Sequence, residues 1–82
     1  MKNFNEQLFN TMLVTLIQKY GLFINTKNCA EILGISSRTL DERRKSGMDC
    51  PQYIEEKKCI MYPTQKIVEY QIIKTNNSIK TI

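Results

Sequence analysis

The sequence contains no histidine and no tryptophan, and it has only three cysteines among its 82 residues. The absence of histidine excludes His-based acid–base catalysis, His triads and every Cys/His zinc site. Cys29, Cys50 and Cys59 cannot all pair within the chain, and their spacing contains no CxxC motif. We therefore predict a reduced protein without metal or cofactor, in which Cys29 and Cys59 pack as small apolar residues.

Long apolar runs are also missing, and none approaches the roughly 20 residues that a membrane span requires. The N-terminus lacks the basic start and the continuous apolar segment of a signal peptide. These absences predict a cytoplasmic protein that does not enter a membrane. The length allows one domain, which we place at residues 1–74, followed by a flexible polar tail over 75–82.

The charge balance is basic, with 12 lysines and arginines against 8 acidic residues and a formal net charge of +4. Arginine is scarce, yet Arg38, Arg43 and Arg44 lie within one short stretch of the chain. No nucleophile–base pair or metal-ligand set is visible in the sequence, so an enzyme is disfavoured. The arginine cluster is instead the first local indication of function.

The first part of the chain carries apolar residues at three- and four-residue steps, the pattern of one wide stripe on a helix. We predict this helix over residues 5–20, ended by Gly21. The stripe is wider than a small domain needs to cover, which leaves two interpretations open: core packing, or a homodimer contact through this helix. The stripe consists of Phe4, Leu8, Phe9, Met12, Leu13, Leu16, Ile17 and Tyr20.

Turn and capping residues divide the rest of the chain into short elements. Thr26 and Ser36 are the predicted N-caps, and Pro63 suits the first position of the last helix. The resulting prediction is a mainly α-helical domain with a small β-hairpin. Its elements are a short β segment at 22–24, helices at 26–33 and 37–46, strands at 52–54 and 59–62 around a charged turn at 55–58, and a helix at 63–74.

The segment between residues 26 and 40 joins two of these short helices by a tight turn. Ala30 is small enough for two helix backbones to approach closely, and Gly34 supplies the positive φ of the turn. Ser36 caps the second helix, so that its first turn projects outward. These are the physical requirements of a helix-turn-helix, whose second helix enters the DNA major groove.

An ordered set of motifs begins at Ala30. It reads A-x-x-L-G-I-S-x-x-T-L, then R-R-x-x-G, a proline, a hairpin and Y-P-x-x-x-I-x-x-Y. This set, within a match from Thr26 to Tyr70, resembles the small winged helix-turn-helix proteins of the excisionase and AlpA type, distant relatives of the MerR DNA-binding domain. The resemblance covers a little over half of the chain.

This resemblance implies a winged helix-turn-helix, to which the helix predicted over residues 5–20 is an extra N-terminal element outside the family's usual minimal domain. It also implies a sequence-specific protein that binds double-stranded DNA and belongs to a phage or mobile element. Such proteins are transcriptional regulators or excision factors, and the partners expected besides DNA are a recombinase or RNA polymerase.

The DNA contacts are expected on the second helix of the motif and on the hairpin, which is the wing. Arg38 is expected to bind a guanine, while Glu42 either accepts from a cytosine amino group or pairs with Arg38 at the i,i+4 spacing. Arg44 and Lys45 are expected to contact phosphates, and Arg43 to face inward and anchor the hairpin. The candidate DNA-binding residues are Ser36, Ser37, Arg38, Thr39, Asp41, Glu42, Arg44 and Lys45 on the helix, with Lys57 and Lys58 on the wing.

A second class of function stays open, in which the same fold binds protein instead of DNA, as an adaptor or antirepressor. Its support is the acidic character of the expected DNA surface, where Asp41 and Glu42 follow the motif and two glutamates enter the wing. In that case the basic residues form a solvated helix face with local charge pairs. A salt titration separates the two classes, because phosphate contacts require a steep loss of affinity with added salt.

Overall fold

The computed structural model describes the backbone of residues 4–78 and the side chains of residues 6–75. Over that range the chain is mainly helical with a small antiparallel sheet, which confirms the predicted class in outline. The elements are α1 (Phe4–Tyr20), β1 (Phe23–Asn25), α2 (Thr26–Leu33), α3 (Ser37–Lys45), β2 (Ile54–Glu56), β3 (Cys59–Pro63) and α4 (Thr64–Ser78).

The sheet has three strands, with β3 in the centre and β1 and β2 at its two edges. Both pairings are antiparallel, with Ile24 opposite Tyr62 and Ile54 opposite Met61. The sequence predicts a β segment close to β1, but it predicts strand pairing only within the hairpin. The pairing of β1 with β3 is therefore a feature that the structure adds. That pairing joins segments distant in the sequence, and no local pattern identifies such a partner.

The β2–β3 hairpin is shifted from its predicted boundaries. The sequence predicts a four-residue turn at 55–58, but only Lys57 and Lys58 form it. Their φ angles are 52° and 68°, the left-handed backbone of a tight two-residue turn. Glu55 and Glu56 therefore belong to β2.

The last helix begins one residue later than predicted and ends later. Pro63 is the last residue of β3, opposite Phe23, so it does not open the helix. Thr64 begins α4, and its hydroxyl donates a hydrogen bond of 2.6 Å to the carbonyl of Gly21. The predicted tail at 75–82 starts inside α4, which continues to Ser78, and residues 79–82 lie outside the described residues.

The helix caps agree with the sequence at α3 and differ at α2. Ser36 caps α3, because its side-chain oxygen accepts from the backbone N–H of Thr39 at 3.0 Å. The cap of α2 is Asn25 instead of Thr26, with the Asn28 N–H donating to the side-chain oxygen of Asn25 at 2.8 Å. The backbone at Asn25 is extended immediately before the first helical turn, which is the conformation an N-cap requires.

The core lies between one face of the sheet and the helices α2, α3 and α4. Cys29 is buried there as predicted, but Cys59 is exposed, so its predicted burial is wrong. Cys59 and Tyr62 are three positions apart on β3, so their side chains point to opposite faces of the sheet. Tyr62 is buried in the core, and Cys59 lies on the outer face beside Met61 and Ile54. The buried core cluster consists of Ile24, Cys29, Ala30, Leu40, Tyr62 and Ile67.

The extra N-terminal helix α1 packs along α4, and the Cα positions span 43 × 30 × 17 Å. The Tyr20 hydroxyl at the end of α1 reaches a Glu31 carboxylate oxygen at 3.5 Å. Gln71 of α4 donates to the carbonyl of Ile32 in α2 at 3.3 Å. No helix within the described range is both long enough and apolar enough to cross a membrane.

Candidate nucleic-acid interface

The helices α2 and α3 are held in a fixed relation by a tight turn and a shared buried contact. Gly34 ends α2 with a φ of 75°, and its N–H donates to the carbonyl of Glu31 at 3.1 Å. The Ile35 N–H donates to the carbonyl of Ala30 at 3.0 Å. Ala30 and Leu40 are both buried in the core, so one side of α3 faces inward and the opposite side faces solvent.

The solvent side of α3 presents Arg38 in the first turn of the helix. Its side chain is 88% exposed, and its Nε lies 3.6 Å from a carboxylate oxygen of Glu42, which is 66% exposed. The i,i+4 pair is therefore the arrangement of the free protein. An ion pair at this exposure contributes at most about 1 kcal/mol, so Arg38 can exchange it for another acceptor. Lys45, at the other end of α3, is also exposed.

The hydroxyl groups at the start of α3 are used within the helix. Ser36 accepts from the Thr39 N–H and donates to the Thr39 hydroxyl at 2.8 Å. Ser37 is half-buried, as is Thr39. The hydroxyl groups of Ser36 and Thr39 therefore shape the start of the helix, and between them the long side chain of Arg38 points into solvent.

The predicted roles of Arg43 and Arg44 are corrected by the structure. The sequence predicts a phosphate contact for Arg44, but its side chain is only 12% exposed and bonds to Asp41 at 3.1 Å. Its guanidinium lies 5.7 Å from the ring centre of Tyr53, just before β2, so Arg44 has the contact near the hairpin that is expected of Arg43. Arg43 lines a cleft of about 280 Å³ beside α4, together with Tyr70.

Arg44 and not Arg43 faces the hairpin, and the two side chains point in different directions because neighbours on α3 lie about 100° apart around its axis. Which of them meets the hairpin depends on where the hairpin lies, and that is a property of the tertiary fold. Sequence reasoning misses Tyr53 as part of the site for the same reason. Asp41, predicted to contact DNA, is half-buried and paired with Arg44.

The tip of the hairpin consists of Lys57 and Lys58, both exposed and both in the left-handed region. Residues with a side chain are disfavoured there by about 1–2 kcal/mol, and two-residue turns favour Asn and Gly for this reason. Two lysines at these positions are a poor choice for the turn alone. Strained backbone of this kind is concentrated at functional sites, which favours a role for the two charges.

The electrostatics of the region follow from burial and from one ion pair. The hydrogen bond to Asp41 raises the pKa of Arg44, so the guanidinium keeps its charge. Burial raises the pKa of the Tyr62 hydroxyl to about 12 and that of the Cys29 thiol to about 12. Neither group is a nucleophile near neutral pH. Among the described residues, no three His, Cys, Asp or Glu side chains form a group that could hold a metal ion.

The predicted site residues therefore fall into two exposed groups joined by a buried one. Arg38, Glu42 and Lys45 are presented by α3, and Lys57 and Lys58 by the hairpin tip. The mostly buried Arg44 links the two elements. No protein-family model matches the chain, and no curated protein matches it significantly.

Proposed function

We propose that this protein binds double-stranded DNA sequence-specifically through a winged helix-turn-helix. In this proposal α2 and α3 form the motif, α3 is the recognition helix, and the β2–β3 hairpin is the wing. The observation that carries it is α3: Leu40 is buried while Arg38, in the first turn, is 88% exposed. The first half of a recognition helix is the part that contacts base edges.

Base recognition would begin with Arg38 leaving Glu42. The guanidinium then donates two hydrogen bonds to the O6 and N7 atoms of a guanine in the major groove. Glu42, released from the pair, accepts a hydrogen bond from the amino group of a cytosine, or it stays near Arg38 and neutralises part of its charge while Arg38 binds the guanine. The free-state separation of 3.6 Å is compatible with either arrangement, because both side chains are exposed.

Phosphate binding would be divided between Lys45 on α3 and the two lysines of the wing. These charges release counterions from the duplex and give the affinity a salt dependence that does not vary with sequence. The formal net charge of +4 supports the same association. Arg44 is excluded from this set because its side chain is mostly buried.

The biological role that fits this proposal is that of a transcriptional regulator or an excisionase-like accessory factor of a phage or mobile element. The protein would act by binding and recruitment, without breaking a bond. A recombinase or RNA polymerase is the corresponding protein partner. The support for this step is the motif resemblance in the sequence, together with the fold, which is compatible with a winged helical protein.

The homodimer contact through α1 remains part of the proposal. The apolar side chains of α1 from Leu8 to Ile17 include none that is fully buried. Met12 and Leu16 line an open cleft of about 440 Å³ whose other wall includes Ile32 of α2. A second copy of α1 would cover this surface, which the free chain leaves half exposed.

The decisive experiment is selection of bound duplexes from a random pool, followed by an affinity titration at increasing salt. We expect one enriched sequence, and a linear fall of log affinity with log salt. Lys57→Ala with Lys58→Ala should lower the affinity for all duplexes by the same factor and flatten this slope. Lys66→Ala, on α4 and outside both the proposed DNA-contact residues and the α1 cleft, is the control and should leave the slope unchanged.

The alternative is a protein-binding adaptor or antirepressor. One observation favours it: β2 is an edge strand that is exposed along its length and carries Glu55 and Glu56. Exposed edge strands accept partner strands, and this acidic pair would select a basic one. The absence of duplex binding at low salt would remove the DNA proposal and leave this one.

A further inference from the structure

Arg44 is the residue through which α3 and the hairpin contact each other. It lies on α3, bonds to Asp41 of the same helix at 3.1 Å, and extends its guanidinium over the Tyr53 ring at 5.7 Å. Asp41 thus binds one nitrogen of the guanidinium while the central carbon of the group lies over the Tyr53 ring. A single side chain therefore contacts both Asp41 on α3 and the residue that precedes β2.

The contact continues from Tyr53 into the centre of the sheet. The rings of Tyr53 and Tyr62 are 6.0 Å apart at an interplanar angle of 53°, a tilted aromatic pair. Tyr62 is fully buried on β3, so it moves only with the core. Arg44, Tyr53 and Tyr62 therefore connect α3 to both strands of the hairpin.

Two polar atoms at this junction are buried without a well-aligned hydrogen bond in the described part of the chain, the Nε of Arg44 and the hydroxyl of Tyr62. They are a donor and an acceptor, and the Tyr62 hydroxyl is near enough to Arg44 to contribute to its raised pKa. The Arg44 guanidinium and the Tyr62 hydroxyl therefore lie close together at the point where α3 meets the centre of the sheet.

We propose that Arg44 is a positioning residue that fixes the hairpin relative to α3, so that Arg38 and the lysine tip reach one duplex at the same time. This inference rests on the proposed DNA-binding function. Lysine cannot replace arginine in this role, because an ammonium group has no planar face to cover Tyr53 while it bonds to Asp41.

The first test is a double-mutant cycle on the affinity for the selected duplex. Arg44→Lys should lower the affinity and flatten the salt slope by about 0.9 for each phosphate that the displaced wing no longer neutralises. Adding Lys57→Ala and Lys58→Ala to Arg44→Lys should cause little further loss, because the wing is already displaced. If Lys57→Ala with Lys58→Ala lowers the duplex affinity as much in the Arg44→Lys variant as in the parent protein, Arg44 does not position the wing.

The matched control is Arg43→Lys, a change of the neighbouring arginine on the α4 side of α3. It should leave the salt slope and the effect of the wing lysines unchanged. Thermal melting of each variant establishes that it is folded at the temperature of the binding experiment. An equal effect of both arginine substitutions would overturn the assignment to Arg44.

A second test needs no DNA and uses the exposed thiol of Cys59 at the start of β3. A spin label reacts there selectively in a Cys50→Ser background, because Cys29 is buried and its thiol pKa is about 12. Paramagnetic broadening of the α3 amide signals then reports the position of the hairpin. Arg44→Lys should change this broadening, and Arg43→Lys should not.

The two tests fail in distinguishable ways. If the unmodified protein binds no duplex, the proposed function fails while the spin-label result still decides whether Arg44 positions the hairpin. If duplex binding is strong and Arg44→Lys leaves both the broadening and the cycle unchanged, the positioning role is wrong and the proposed function stands.

Discussion

Arg38 occupies the position where one side chain should decide between base pairs. Replacing it by alanine should weaken specific binding by about 1–3 kcal/mol and relax the preference at one base pair. The physical reason is the loss of the two hydrogen bonds that the guanidinium donates to the edge of a guanine. Affinity measured for the selected duplex and for its single-base variants checks this expectation.

Arg38→Lys is the control that separates charge from geometry. It keeps the positive charge but cannot bind a guanine with a planar fork, so it should lose base preference with a smaller loss for random duplex. An unchanged ratio of specific to random binding in both variants would mean that Arg38 does not contact a base.

From the two lysines of the hairpin tip we predict that one substitution raises the stability of the protein and lowers its affinity for DNA. Lys57→Asn with Lys58→Gly relieves the left-handed backbone and should raise the free energy of unfolding by about 1–2 kcal/mol. The same change removes two positive charges, so duplex affinity should fall and the salt slope should flatten. Thermal melting and the salt titration measure the two effects separately.

Lys57→Ala with Lys58→Ala removes the same charges while keeping a side chain in the left-handed region. It should therefore lose affinity without gaining stability. A more stable Asn-Gly variant that binds the duplex as tightly as the parent would show that the two lysines serve only the turn.

Ala30 tests the contact between α2 and α3, because it is buried in the core beside Leu40. Ala30→Leu adds atoms to this closed contact and should reduce the free energy of unfolding by about 1–3 kcal/mol. DNA binding should fall as well, since α3 is displaced although residue 30 touches no base. Lys27→Leu, on the exposed side of α2, is the control and should change the melting temperature little.

At the scale of single residues, the sequence is informative where a local rule applies. Turn and cap chemistry predicts the roles of Gly34 and Ser36, and both have the expected geometry. The contact of Arg44 with Tyr53 and the exposure of Cys59 escape prediction because they depend on which surface another element covers. Helical spacing alone does not contain that information.

The element α1 leads to a prediction about association. Met12 and Leu16 line the open cleft beside α2, while Val14 lies 53% exposed on another side of the helix. If α1 forms the homodimer contact, Met12→Glu should shift the protein to the monomer, because a charge cannot be buried there unpaired. Val14→Glu should leave the association unchanged. Sedimentation equilibrium over a range of concentrations measures both.

The elements themselves are largely predictable, and their partners are not. All four helices appear close to their predicted ranges, because apolar stripes and turn residues are local signals. The first strand of the hairpin lies two residues later than predicted, since a run of four charged residues is expected to form the whole turn. Two of them lie in β2, where an exposed edge strand accepts charged side chains.

At the scale of the molecule, the sequence predicts the class of fold and the mixed acidic and basic character of the candidate surface. It does not predict that β1 completes the sheet, which places the start of α2 directly after an edge strand. This arrangement ties the candidate DNA-binding motif to the same β3 strand that carries the hairpin. The two parts of the candidate interface are therefore connected through β3 as well as through the contact of Arg44 with Tyr53.

Under the proposed DNA-binding function, the flattened outline of the molecule, 43 × 30 × 17 Å, would limit how copies are arranged on a duplex. One turn of the double helix advances about 34–36 Å, so sites one turn apart present the same face of the duplex. Two copies fit on such sites only if the 43 Å axis crosses the duplex instead of following it. Sites half a turn apart place the copies on opposite faces and carry no such limit. The spacing between repeated sites would therefore report how the protein is turned on its DNA.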